Sequence, residues 1–175
     1  MKEFTTPPSK IIVHISDSYW GTEKDIRDWH VRGNKWDETG YHYVILNGQF
    51  SSDDFMNILD GQISPARPLN YQGAHCRGQN SDSLGICLIS KDGVITTEQI
   101  KSLVKLIDTL DSYFNKTFTV HPHNEFDSSK TCPGFDVPTI LNDGKNLLGS
   151  KRETLDQKLA DMSIRDFIIK LKEEL

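Results

Sequence analysis

The fold is indicated most clearly by residues 84–114, LGICLISKDGVITTEQIKSLVKLIDTLDSYF, which read as a buried strand, a tight turn and an amphipathic helix. The turn is the Lys-Asp-Gly sequence at 91–93. Thr96 and Gln99 have the spacing of a capping box, which predicts that the helix begins there. The apolar residues of the helix recur at intervals of three, four and seven, and they are Ile100, Leu103, Val104, Ile107, Leu110 and Phe114.

Further strands are predicted on both sides of this stretch. Residues 10–16, KIIVHIS, read as another buried strand, and residues 41–46, YHYVIL, as the next one. The Asn-Gly pair at 47–48 predicts a type I′ hairpin with a return strand from Gln49. A short strand is predicted at 118–120. Strands that alternate with helices predict the α/β class, here a single domain with a central mixed β-sheet flanked by helices.

Two other segments, a predicted helix and a long polar stretch, lie between these strands. Residues 23–32 predict a helix, with Thr22 and Asp25 as a capping box and Gly33 just past its end. Residues 52–82 are rich in Ser, Asp, Asn, Gly and Pro and have weak periodicity. A segment of that length inside a small domain is usually functional or mobile.

The C-terminal part of the chain is predicted to be a helical tail that packs on the domain or, alternatively, presents an apolar stripe to a partner. Residues 142–152 are polar and contain two glycines, so they predict a linker. We therefore divide the chain into a catalytic domain at 1–145 and a C-terminal helical extension at 146–175. One apolar stripe lies in the extension and comprises Ile164, Phe167, Ile168, Leu171 and Leu175.

Composition excludes several classes of protein. The chain has 175 residues, 36% hydrophobic and 26% charged, without an apolar run near the ~20 residues of a membrane span, so no membrane partner is expected. The N-terminus lacks the apolar core of a secretory signal. A net charge of -5 argues against nucleic acid as the main ligand. Three cysteines, an odd count, do not fit a disulfide scaffold and favour a reducing cytoplasm.

Histidine and cysteine residues in two places carry the chemistry. His14 lies inside the first buried strand, and residues 121–135, HPHNEFDSSKTCPGF, contain His121, His123 and Cys132. Imidazole and thiolate are the ligands that zinc prefers, and catalytic sites use three of them. Taken alone, His14 is more often a core histidine than a ligand. Spacing does not decide whether these side chains meet.

The motifs taken together resemble a known family. They occur in one order: Val13–Ser16, Gly40–Tyr43, Gly73–His75, Asn80–Cys87 and His123…Lys130-Thr-Cys-Pro-Gly-Phe135. That order is similar to the zinc N-acetylmuramoyl-L-alanine amidases, which include phage lysozymes and the animal peptidoglycan recognition proteins. The resemblance covers roughly residues 10–140 and is greatest to the phage lysozymes.

The resemblance implies an activity and a set of site residues. A zinc amidase of this family hydrolyses the amide between N-acetylmuramic acid and L-alanine of peptidoglycan. Matching positions imply that His14, His123 and Cys132 hold Zn2+ and that Tyr41 and Lys130 are catalytic. His75 is implied to line the substrate cleft. Lys130 would stabilise the oxyanion of the tetrahedral intermediate, and Tyr41 would position water or protonate the leaving amine.

The expected function is that of a phage endolysin. Such an enzyme is a monomer made in the host cytoplasm without a signal peptide, and it reaches the cell wall after another protein permeabilises the membrane. Two alternatives stay open: a cytoplasmic muropeptide-recycling amidase, whose third ligand is usually a carboxylate, and a non-catalytic peptidoglycan-binding module, which lacks the zinc cysteine. Some phage lysozymes of this type also bind the phage RNA polymerase, and a contact of that kind is a further open alternative.

Overall fold

The computed structural model describes residues 1–160, and of residues 150–160 only the helical backbone. Five strands and three α-helices follow one another in chain order: β1 (Lys10–Ile15), α1 (Glu23–Asp28), β2 (Tyr43–Gln49), β3 (Phe55–Pro65), β4 (Ser83–Leu88), α2 (Thr97–Phe114), β5 (Thr119–Pro122) and α3 (Val137–Ala160). A π-helical turn, Trp29–Gly33, extends α1, and a 3-10 turn, His123–Glu125, follows β5. The apolar stripe of the predicted C-terminal extension lies outside the described residues.

The five strands form one mixed sheet in the order β3-β2-β4-β1-β5. β1 is parallel to both β4 and β5, β2 is parallel to β4, and β3 is antiparallel to β2. Parallel strands need long connections, and α2 supplies the one between β4 and β5. The predicted α/β class with a mixed sheet flanked by helices is therefore confirmed.

The core lies between the sheet and the two long helices. β1 and β4 are buried along their whole central length because helices or loops cover both faces. The helix α2 turns Leu103, Ile107 and Leu110 onto this sheet, as its sequence periodicity predicts, and Leu106 joins them. Its predicted capping box is present, since Thr96 Oγ1 accepts from the Gln99 amide at 3.0 Å and Gln99 Oε1 accepts from the Thr96 amide at 3.0 Å.

The predicted hairpin turn at 47–48 is wrong. β2 continues through Gln49, which pairs with Phe55, so the turn is made by residues 50–54. Gly48 has a φ of +82° and lies where the register of β2 and β3 shifts. The glycine therefore serves a bulge rather than a turn. β3 itself occupies part of the segment for which the sequence predicted no strand.

The predicted linker at 142–152 is also wrong, because α3 runs without interruption from Val137 to Ala160. Gly144 is buried in this helix, and a Cβ there would lie 2.5 Å from Val104 Cγ2 of α2. The glycine allows the two helices to approach closely instead of breaking α3. Within residues 1–160, no helix combines the length and apolar character needed to cross a membrane.

Candidate metal centre and cleft

Two parallel neighbours in the sheet bring the first two candidate ligands together. β1 and β5 pair in register, with Val13 opposite Pro122. The next residues along the two strands are His14 and His123, so the register places them side by side. Their rings are 4.4 Å apart between centroids. His14 is only 1% exposed, whereas His123 is partly exposed at the start of the 3-10 turn.

The third candidate ligand comes from the loop that follows. The Ile15 amide donates to Cys132 Sγ at 3.3 Å, and the Asn124 amide donates to the Cys132 carbonyl at 2.9 Å. These bonds hold the thiol 4.0 Å from His14 Nδ1. One donor atom each from His14, His123 and Cys132 lies within 4.8 Å of the others. Two imidazoles and a thiol at this separation fit zinc, whose ligand atoms surround it at ~2.0–2.3 Å.

Burial sets the protonation of the three groups. It lowers the pKa of His14 well below its usual value, and the neighbouring His75 and His123 lower it further. Burial also lowers the pKa of His123. Both imidazoles are therefore neutral near pH 7, which is the form that binds metals. Burial raises the pKa of Cys132, although the Ile15 amide bond acts in the opposite direction.

Tyr41 lies beside the three candidate ligands, immediately before β2. Its ring is 5.1 Å from that of His14 and 5.3 Å from that of His30. His30 Nδ1 accepts from the Gly40 amide at 3.0 Å, which fixes the backbone that carries Tyr41. Burial, followed by the nearby thiols of Cys87 and Cys132, raises the pKa of Tyr41 well above its usual value. The hydroxyl is thus protonated at neutral pH, and it hydrogen-bonds with the buried Cys87 thiol.

These side chains open onto a cleft of about 550 Å³. His14, His123 and Cys132 form its floor together with Tyr41, and the exposed Lys130 lies at its wall. The cleft is therefore able to hold an extended substrate across the candidate metal centre.

Sequence reasoning missed two acidic residues of this cleft, Asp17 and Asp92. Asp17 follows β1 and Asp92 follows β4, and these strands are parallel neighbours. The carboxyl ends of parallel strands are where α/β proteins bind ligands. Their positions shortly after two buried strands could therefore have identified Asp17 and Asp92 as cleft residues from the sequence.

His75 lies behind His14 rather than at the surface of the cleft. It is 9% exposed, and its Nδ1 is 3.0 Å from His14 Nε2. The residues that line the cleft do not include it. Its role in substrate binding stays a prediction.

The remaining histidines and aromatic residues lie away from the cleft floor. His121 Nδ1 lies 2.9 Å from Glu125 Oε1, so these two residues pair with each other. His42 Nδ1 accepts from the Gly85 amide, and His42 Nε2 donates to the Tyr71 carbonyl, both at 2.9 Å. His42 is therefore a packing residue. Trp20, Trp36 and Tyr71 do not belong to the set that lines the cleft.

Known relatives share both the sequence and the fold. The family model described as N-acetylmuramoyl-L-alanine amidase matches residues 4–135. The endolysin of Escherichia phage T7 is 29% identical over 121 residues, covering 65% of this chain and 70% of that protein. The endolysin of Enterobacteria phage K11 is 25% identical over 147 residues, covering 78% of this chain and 87% of that protein.

Solved structures agree with these relatives. The Ph2119 endolysin from a Thermus scotoductus bacteriophage superposes with a TM-score of 0.67 at 25% identity, covering 82% of this chain and 88% of that one. The amidase LysC from Clostridium intestinale superposes with a TM-score of 0.65 at 24% identity, covering 85% and 93%. The family match extends over more than half of the chain and includes the whole cleft. This chain therefore belongs to the N-acetylmuramoyl-L-alanine amidase family.

Proposed function

We propose that this protein is a phage endolysin that hydrolyses the amide bond between N-acetylmuramic acid and L-alanine, with Zn2+ held by His14, His123 and Cys132. The observation that carries the proposal is the convergence of these three donors, from two strands and a loop, on the floor of one cleft. Peptidoglycan hydrolysis is the activity of the family to which the chain belongs.

Hydrolysis of an amide needs an activated carbonyl, an activated water and a group that stabilises the oxyanion, and these needs suggest the roles of the groups in the cleft. Bound zinc would supply a Lewis acid that polarises the carbonyl and makes water a better nucleophile. Lys130 offers a fixed positive charge at the cleft wall, where it would stabilise the oxyanion that forms on attack. Removal of a donor of this kind typically costs ~3 kcal/mol of activation free energy.

Tyr41 has the properties of a donor in the same reaction. Its hydroxyl keeps its proton because burial raises its pKa. A neutral phenol beside the metal ligands would orient the attacking water or hand a proton to the leaving amine. We expect Tyr41→Phe to lower kcat while the zinc content stays unchanged, because the ring and its packing are preserved.

The action on the wall and the origin of the protein are part of the proposal. Endolysins of phages K11 and T7 are similar to this chain, which favours synthesis in a host cell and action on the wall once the membrane is permeabilised. The thiolate ligand favours this role over muropeptide recycling, in which the third ligand is usually a carboxylate.

The decisive experiment measures new L-alanine N-termini released from purified peptidoglycan. Zinc-loaded protein should release them, while chelator-treated protein and Cys132→Ala should not. Cys76→Ala, which removes another buried thiol, should behave like the wild type. Binding to the wall without release would instead identify a binding module. Release only from soluble anhydro-muropeptides would identify a recycling enzyme.

A further inference from the structure

His75 is a buried histidine that contacts a proposed metal ligand from behind. It belongs to the polar loop before β4, and its Nδ1 lies 3.0 Å from Nε2 of His14. The two rings are nearly perpendicular, at 84°. This edge-to-edge approach of two nitrogen atoms requires that one carries a proton and the other a lone pair. Which of the two donates decides which nitrogen of His14 is free for a metal.

The direction follows from the groups on the far side of His75. Ser83 Oγ lies 2.8 Å from the Gln79 carbonyl, which only accepts, so the single hydroxyl proton points there. Towards His75 Nε2, 3.4 Å away, the hydroxyl is left with lone pairs alone. The backbone carbonyl of Ser83 is a second acceptor for the same ring. His75 therefore carries its proton on Nε2 and presents a lone pair at Nδ1.

The tautomer of His14 follows from that of His75. The lone pair of His75 Nδ1 needs a donor, and His14 Nε2 is the atom that faces it. A neutral imidazole has one proton, so His14 Nδ1 is left with a lone pair. That nitrogen is the one that lies 4.0 Å from Cys132 Sγ, on the side of the cleft. The chain of hydrogen bonds thus aims the free nitrogen of His14 at the other two proposed ligands.

The ring of His75 is held in place by its surroundings. A Cβ at Gly73 would lie 2.4 Å from its Cδ2, and a Cβ at Gly85 would lie 2.6 Å from the same atom. Two glycines therefore enclose the ring without room for a side chain of their own. The backbone is held as well, since Asn80 Oδ1 accepts from the amides of His75 at 2.9 Å and Cys76 at 3.0 Å. The ring has little freedom to turn and reverse the chain of bonds.

We propose that His75 is a positioning residue, which holds His14 in the tautomer that presents Nδ1 to the metal. This inference rests on the proposed function in one respect, namely that His14 is a zinc ligand. Groups that hydrogen-bond to metal-bound histidines fix the tautomer and ring orientation, and their loss typically weakens metal binding 10–100-fold. In this role His75 acts through His14 and does not need to contact the substrate.

The variants His75→Asn and His75→Leu have side chains of nearly equal shape, and they separate the positioning of His14 from a simple packing role of His75. Asn has an oxygen where His75 has Nδ1, so His75→Asn keeps an acceptor for His14, whereas the isosteric His75→Leu does not. Both variants lose the ring, so the melting temperatures of the metal-free proteins should fall by similar amounts. Zinc affinity, measured by chelator competition, should fall about 10–100-fold in His75→Leu and within about threefold in His75→Asn.

Nitrogen-15 NMR of the histidine rings in the full-length chain gives a readout that does not depend on zinc. In the metal-free wild type, both His14 and His75 should be in the Nε2–H form, and His75→Leu should lose this preference at His14. An Nδ1–H form of His14 in the metal-free wild type, or equal zinc affinity of the two variants, overturns the inference. If the wild type fails to bind zinc, the proposed metal site is wrong, and the NMR tautomers still decide the role of His75.

Discussion

Cys132 is the proposed zinc ligand whose protonation would change most on binding of the metal. Burial raises the pKa of its thiol, so the metal-free protein carries a proton on sulfur at neutral pH. His14 and His123 have lowered pKa values and carry no extra proton to release. Since zinc binds thiolate, its binding must expel the proton of Cys132 and no other ligand proton.

We therefore predict that zinc binding at pH 7–8 releases at least one proton, namely that of Cys132, with a further fraction from a zinc-bound water that ionises at pH ~7. The apparent affinity should rise about tenfold per pH unit until the pH reaches the pKa of the thiol. Calorimetric titration with zinc in two buffers of different ionisation enthalpy measures the released protons directly. Cys76→Ala should keep the release. Zinc binding without proton release would mean that Cys132 is not a ligand or is already a thiolate.

At the scale of the elements, Gln99 connects α2 to the sheet. The side chain is fully buried, and its Nε2 donates to the carbonyls of Ile45 at 3.0 Å and Ile89 at 2.9 Å. Its Oε1 accepts from the Thr96 amide. All three of these bonds are made by one amide group, so the capping box also joins the first turn of α2 to β2 and to the residue that follows β4.

We predict that Gln99→Leu lowers the free energy of unfolding by about 2–4 kcal/mol. The substitution keeps most of the volume but removes the Gln99 bonds to the Ile89 carbonyl and the Thr96 amide, and a buried polar group left unpaired is costly. The Ile45 carbonyl still accepts from the Ile89 amide at 2.9 Å. Urea denaturation of the metal-free protein measures the change. Thr109→Ala, on the exposed face of the same helix, should change stability by no more than about 0.5 kcal/mol. An equal effect of both substitutions would show that the Gln99 bonds contribute nothing.

Elements were predicted correctly where local signals and burial agree. β1 and β4 are continuous apolar runs, and α2 has a cap, a periodic face and a polar surface. β3 is the return strand of the predicted hairpin, but the sequence placed its start too early. Its first half is solvent-exposed at the edge of the sheet, so those residues follow no burial pattern that a sequence can reveal. Glycine misled the interpretation twice, at Gly48 and at Gly144, because a bulge and a close helix contact need the same residue as a turn.

At the scale of the whole molecule, the candidate site is a product of sheet topology. His14 and His123 are more than a hundred residues apart in sequence and meet because β1 and β5 are parallel neighbours. Nothing local in the sequence encodes that register, so the residues by themselves left the metal site open. The resemblance to a family suggested the three candidate ligands, whereas the position of His75 behind His14 became visible only with the fold.

Three buried histidines also connect the site to global stability. His14, His42 and His75 are each at most 9% exposed. The ring centroid of His75 lies 5.0 Å from that of His14 and 6.0 Å from that of His42. Burial lowers the pKa of His42 to about 4 and that of His75 to about 3. In the unfolded chain these groups have a pKa of ~6.5, so between pH 6.5 and 4 the unfolded state binds protons that the folded state does not bind.

We predict that the metal-free protein loses stability as the pH falls from 6.5 towards 4. Above pH 6.5 such a histidine is neutral in both the folded and the unfolded state and costs no stability. As the pH falls below 6.5, protonation of this histidine stabilises only the unfolded state, so the free energy of unfolding decreases. For His42 alone, the shift to about 4 corresponds to about 3 kcal/mol. Urea denaturation at a series of pH values should show this slope, and His42→Gln should reduce it by about one proton because an amide does not titrate. An unchanged slope in His42→Gln would show that His42 is not held neutral in the fold, and the loss of stability would then belong to the other histidines whose pKa is lowered.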